Sequence, residues 1–136
     1  MPTIQQLDYK HFLANTPYPW CWACGRGEYD RPEGWYGRWL IERAHIFRGW
    51  ARVDDVKAIV LLCSLCHKTS HWERVVLEGQ TNPLPRLYPE HLLDLKRRFD
   101  PENYDREWLK TRCLGKLPHC VKLPALYLAE YRKRRG

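Results

Sequence analysis

The stretch Cys63-Ser64-Leu65-Cys66-His67-Lys68-Thr69-Ser70-His71 decides how this chain is read. Two cysteines separated by two residues form a tight turn that offers two thiolates to one edge of a metal tetrahedron. A second pair, Cys21-Trp22-Ala23-Cys24, precedes it, followed by Gly25 and Gly27, whose backbone freedom lets amides turn toward sulfur. Together Cys21, Cys24, Cys63 and Cys66 supply the four ligands of a structural zinc and tie distant parts of the chain together. His67 and His71 would exceed that ligand count. At i and i+4 of a helix their imidazoles lie one above the other, so the pair is available for a second task.

Outward from the knuckles, the chain has 136 residues, the size of one domain with a modest core to which a metal cross-link contributes noticeably. No charged-then-apolar leader and no span of about 20 apolar residues is visible, so the expectation is a cytoplasmic protein with reduced thiols and no membrane partner. Net charge is +7, distributed unevenly. Residues 1–80 carry ten Lys/Arg against nine Asp/Glu, whereas residues 81–136 carry thirteen against seven. The back half is therefore the expected polyanion-facing part, with Lys96, Arg97, Arg98, Arg132, Lys133, Arg134 and Arg135 as its cationic clusters. The same clusters suit solvated helix ends.

Periodicity divides the chain into a short leading helix over residues 4–13, an extended segment over 35–47 and a second over 56–62. A helix over 66–78 follows, then a proline-broken linker and three short helices over 89–99, 101–113 and 124–134. Alternation along Glu42-Arg43-Ala44-His45-Ile46 places His45 on one strand face with Arg43. Trp20, Trp22, Trp35, Trp39 and Trp50 could stack on bases, but a thin core around the metal is the favoured use. Cys113 and Cys120, with His119 beside the latter, lack knuckle spacing and a clear fourth ligand, and read as buried thiols.

Strand, loop, strand, knuckle and helix, with Cys21-Trp22-Ala23-Cys24, Ala44-His45-Ile46 and Leu61-Leu62-Cys63-Ser64-Leu65-Cys66-His67-Lys68-Thr69 in that order, resembles the HNH, or ββα-metal, nucleases. The resemblance covers residues 17–80. It implies an α+β fold: a small zinc-stabilised ββα-metal core at 17–80, an N-terminal helical segment at 1–16 and a basic helical extension at 81–136. It also implies a metal-dependent DNA endonuclease or nickase, acting on double-stranded DNA and leaving 5′-phosphate and 3′-hydroxyl ends. His45 takes the general-base role and His67 holds one catalytic divalent cation (Mg, Mn, Zn, Ni or Co). His71 is the second ligand by helix geometry, and two imidazoles favour ions softer than magnesium. Arg43 and Lys68 are nearby candidates for phosphate contact.

Two positions depart from the family pattern. Ala44 stands where many members carry a further metal ligand, and Glu42, two residues earlier on the same strand face, is the candidate replacement. No Asn lies before the second knuckle to orient His45, which leaves a backbone carbonyl, Asp54 or Asp55 for that task. These departures make a catalytically inactive zinc-bound nucleic-acid-binding module the alternative, with a zinc-stabilised protein-interaction adaptor as a third reading.

Overall fold

The computed structural model describes residues 14–71, 73–77 and 79–136; the leading helix expected over residues 4–13 and Trp72 lie outside these. Two five-residue strands, β1 (Ile41–His45) and β2 (Ile59–Cys63), pair antiparallel, with Glu42 opposite Leu62, Ala44 opposite Val60 and His45 opposite Ile59. The sequence Ile59-Val60-Leu61-Leu62-Cys63 is apolar throughout, and all five residues are buried, as a strand covered on both faces must be. β1 alternates instead. Glu42 and Ala44 share one face, Arg43 and His45 the other.

β2 runs without a loop into α1 (Ser64–Ser70), because Cys63 serves as its N-cap: the Cys66 N–H donates to Cys63 Sγ at 3.4 Å. The first knuckle is hooked onto β2 by the Trp22 N–H donating to the Leu61 carbonyl, 3.0 Å, and is closed by Gly25 N–H on the Cys21 carbonyl, 2.9 Å. Gly25 needs its left-handed φ of 78° to make that turn.

The extended segments are shorter than the sequence suggests. Residues 35–40 coil back, with Trp35 Nε1 donating to the Arg38 carbonyl, and Val56–Ala58 forms a 3-10 turn capped by Asp55. The helix expected over 66–78 starts two residues earlier, at the sulfur cap, and stops at Ser70. Its end has a local cause: the Thr69 and Ser70 hydroxyls donate to the Cys66 and His67 carbonyls and compete for the acceptors that another turn would use. His71 is thus the C-cap rather than a mid-helix residue.

Three further helices complete the described structure: α2 (Pro89–Phe99), α3 (Arg106–Arg112) and α4 (Ala125–Arg135). Pro89 opens α2, and His91 Nδ1 accepts the Tyr88 N–H at 2.9 Å. The helix expected over 101–113 is divided, since Asp105 caps α3 by accepting the Trp108 N–H at 3.0 Å, leaving Pro101–Asn103 as a separate 3-10 turn. α2 buries Leu92, Leu93, Leu95 and Phe99, and Phe99 stacks on Trp22 with ring centroids 5.6 Å apart. α4 is strapped across the first knuckle: Trp20 Nε1 donates to the Tyr131 hydroxyl at 3.1 Å, and Arg135 Nε donates to the Gly25 carbonyl at 2.9 Å while lying over the Trp20 ring. The whole is mixed α and β, built on one ββα unit. Among the described residues no helix is long and apolar enough to cross a membrane.

Candidate active site

The two knuckles meet. Sulfurs of Cys21, Cys24, Cys63 and Cys66 all lie within 4.8 Å of one another, and all four residues are buried. Cys24 Sγ and Cys63 Sγ are 3.7 Å apart, close to the ~3.8 Å edge of a tetrahedron whose metal–sulfur bonds are ~2.3 Å. The cluster could hold a structural zinc. Four thiols so placed cannot all ionise unaided: hydrogen bonds from Cys21, Cys63 and Cys66 hold Cys24 well below the usual thiol range, while burial pushes Cys63 up and its three neighbours push Cys66 up. Arg26 stands beside them. Its burial disfavours charge, yet the ionised Cys24 beside it outweighs this and raises the guanidinium's pKa. Glu130 of α4 lies 3.6 Å from it.

β1 divides the remaining polar groups between its two faces. On one, Glu42 Oε1 and His67 Nδ1 are 2.9 Å apart, and His67 Nε2 lies 2.9 Å from His71 Nε2. The hydrogen bond from His67 lowers the Glu42 pKa against the opposing effect of burial, so the carboxylate is ionised and accepts. His67 Nδ1 then donates to Glu42, and its Nε2 faces Nε2 of His71. The 2.9 Å between the two Nε2 atoms is an ordinary hydrogen-bond separation. The His71 pKa falls to about 4, mainly through burial and then through the charges of His67 and Arg48. These residues, with Arg38, Ser64, Lys68 and Glu73, line a hollow of about 220 Å³. Glu42 engages the outer nitrogen of His67, the place of a carboxylate that orients a ligand rather than one that binds beside it.

On the other face, His45 Nε2 is 2.5 Å from Asp54 Oδ1, and Arg43 Nη1 is 4.0 Å from the same oxygen. The bond from His45 lowers the Asp54 pKa, so Asp54 accepts and His45 donates from Nε2, leaving Nδ1 as the basic nitrogen. Burial lowers the His45 pKa, assisted by Arg52 and Arg43 and opposed by Asp54. The imidazole is therefore neutral at physiological pH. Among the two aspartates and the backbone carbonyl considered from sequence, Asp54 holds the ring; Asp55 caps the Val56–Ala58 turn.

Several cationic candidates are placed elsewhere. Lys96 is wholly buried: Nζ donates to the carbonyls of Val56 (2.6 Å) and Ile59 (2.9 Å) and to Asp100 (2.6 Å), which removes it from any phosphate-binding set. Arg97 and Arg98 pair with the buried Asp94 at 2.5 and 3.4 Å but keep exposed side chains. Arg134 pairs with Glu130, and Arg135 is committed to Gly25 and Trp20, whereas Arg132 and Lys133 are exposed. Lys68 lies 3.5 Å from Glu73. Cys113 and Cys120 bond to different groups, the Leu109 carbonyl and the Tyr104 hydroxyl. Sequence reasoning overlooked Arg38, Arg48 and Arg52. The signal was present in Arg48-Gly49-Trp50-Ala51-Arg52, two cations flanking an aromatic in a loop directly after His45. No family model, no curated protein and no solved structure matches this chain.

Proposed function

We propose that this chain is a metal-dependent DNA endonuclease or nickase of the HNH type, with zinc on its four knuckle cysteines. The observation that carries the reading is that one zinc-clampable ββα unit holds both a carboxylate-oriented histidine pair, Glu42–His67–His71, and a carboxylate-oriented neutral histidine, His45–Asp54, with His45 near enough to His71 for its charge to be felt there although the two groups lie on different faces of β1. A divalent ion on His67 and His71 would stabilise charge on the scissile phosphate and on the departing oxygen. The chain's own groups supply the rest. His45 accepts a proton from water at Nδ1, Asp54 fixes the tautomer and balances the imidazolium that forms, and Glu42 fixes the tautomer of His67. Arg43 and Lys68 offer positive charge to the phosphates.

Plasmid nicking with a panel of divalent ions, run beside His45→Ala and His67→Ala, tests the reading. Cleavage that requires a softer ion and disappears in both variants, with DNA affinity retained, is the expected result. The alternative, an inactive zinc-bound nucleic-acid-binding module, draws on Ala44, whose methyl group offers no third ligand, and on Glu42 being engaged with His67. DNA binding without metal-dependent cleavage would favour it. Absence of binding at moderate salt would leave only the adaptor reading.

A further inference from the structure

The segment between β1 and β2 builds a feature that the hydrolytic groups do not use. Gly49, with φ of 63°, turns the chain so that Trp50 projects outward and is 70% exposed, while Phe47 and Ala51 on either side are buried. Trp22, by contrast, is 1% exposed, and Trp20, Trp35 and Trp39 are all partly buried. Trp50 stands at a groove of about 510 Å³ between this loop and the start of α2, floored by Ile46, Phe47, Leu87 and Leu92. Arg48 and Ser70 also line it.

Charge at this groove is one-sided. Arg48 is close enough to Arg86 and to His71 for each to feel its charge, and burial with the Arg86 charge lowers its pKa. Among the described residues no carboxylate forms an ion pair with Arg48. A partly desolvated guanidinium held beside another cation is complementary to an anion. Location narrows the ligand further. Arg48, which lines the groove, and His45 are both close enough to His71 for their charges to act on it, so the groove lies near the groups assigned to the scissile phosphate. An aromatic face, an apolar floor and a cation at one edge suit a flat π-system joined to a phosphate.

We infer that this groove receives an unpaired nucleobase of the DNA strand, stacked on Trp50, with the adjoining phosphate on Arg48. The inference rests on the nucleic-acid reading above and adds a substrate class to it: DNA with a bulged, mismatched or single-stranded nucleotide at the cleavage position. A base in an intact duplex has both faces covered by its neighbours and must first be unstacked, which lowers affinity for fully paired DNA.

The test measures affinity by fluorescence anisotropy, without added divalent ions, for a labelled short duplex and for the same duplex carrying one extra unpaired adenine. Wild-type protein is expected to prefer the bulged duplex by roughly tenfold, within the range of a single aromatic–base stack. Trp50→Ala should abolish the preference, bringing affinity for the bulged duplex down to that for paired DNA. Trp50→Phe should retain most of the preference, and Arg48→Gln should weaken binding of the bulged duplex with a shallower salt dependence. Equal wild-type affinity for the two duplexes, or a preference that survives Trp50→Ala, overturns the inference. Plasmid cleavage by the same preparation separates the two claims. Cleavage without bulge preference removes the groove assignment alone, preference without cleavage removes the hydrolase alone, and no binding to either duplex removes both.

Discussion

On the proposed hydrolytic reading, Asp54 decides whether His45 can act as a base, because among the described residues it is the group that fixes which ring nitrogen carries the proton. Asp54→Ala is expected to lower metal-dependent nicking by ~10–100-fold with DNA affinity little changed, the usual cost of removing a group that orients an active histidine. Asp54→Asn should be milder, since an amide oxygen can still accept from Nε2. Both variants should also change the pH profile. His45 must be neutral to take a proton, and burial with the nearby Arg52 and Arg43 places its pKa below the ordinary ~6.5 despite Asp54. The acid limb of kcat/KM should therefore fall below pH ~6.5, with activity rising through it and level at neutral pH. Asp54→Asn removes a charge that opposes this shift and should move the limb lower still; a limb that moves upward would show that another group titrates. His45 and Arg43 on one face were legible from strand alternation. Arg48 and Arg52 were visible only as two cations flanking Trp50, because their importance comes from where the loop folds, beside His71 and His45, and spacing in the chain does not encode that.

At the level of elements, α2 shows how a run of like charges misleads. Lys96-Arg97-Arg98 reads as one basic patch, but successive residues on a helix point about 100° apart. Lys96 falls on the stripe with Leu92, Leu93 and Phe99 and is driven inward, where three acceptors compensate its charge. Lys96→Ala is expected to destabilise the fold by ~3–5 kcal/mol, since it leaves buried acceptors and the Asp100 carboxylate without their cation. Lys96→Met keeps most of the volume and should cost less. Urea denaturation of both checks the order, and equal losses would show that the cavity contributes nothing. The bounds of α2 itself were legible, because Pro89 starts it and the apolar stripe runs to Phe99. The end of α1 was not: Thr69 and Ser70 are ordinary helix residues until their hydroxyls claim the carbonyls behind them. That early stop leaves His71 as a cap, yet still 2.9 Å from His67.

For the molecule as a whole, charge counted along the chain does not by itself locate the cations beside the histidines. Arg134 of the basic tail pairs with Glu130 within α4 and Arg135 ties α4 to the first knuckle, while Arg38, Arg43, Arg48 and Arg52 from the nearly balanced front half lie near the histidines. Deleting residues 131–136 would consequently remove Tyr131 and Arg135 from the knuckle, so substitutions at Arg132 and Lys133 isolate a phosphate contribution more cleanly. The knuckle is the point at which distant segments are joined: the four sulfurs, the Trp22–Leu61 hydrogen bond and α4 meet there, beside a core in which Trp22 stacks on Phe99. Structural zinc contributes an apparent ~10–16 kcal/mol at neutral pH, as much as the whole net stability of ~5–15 kcal/mol typical of a domain. Metal removal should therefore unfold the protein rather than loosen one end. Titration with a chelator is expected to release one zinc per chain, matching the single four-cysteine cluster. It should abolish the near-ultraviolet circular dichroism of the packed tryptophans in the same transition, and Cys24→Ser should show that loss without chelator. Zinc release that leaves the near-ultraviolet signal unchanged would mean that α4 and the β2 contacts hold the first knuckle unaided, and that the sulfurs do not clamp the ββα unit.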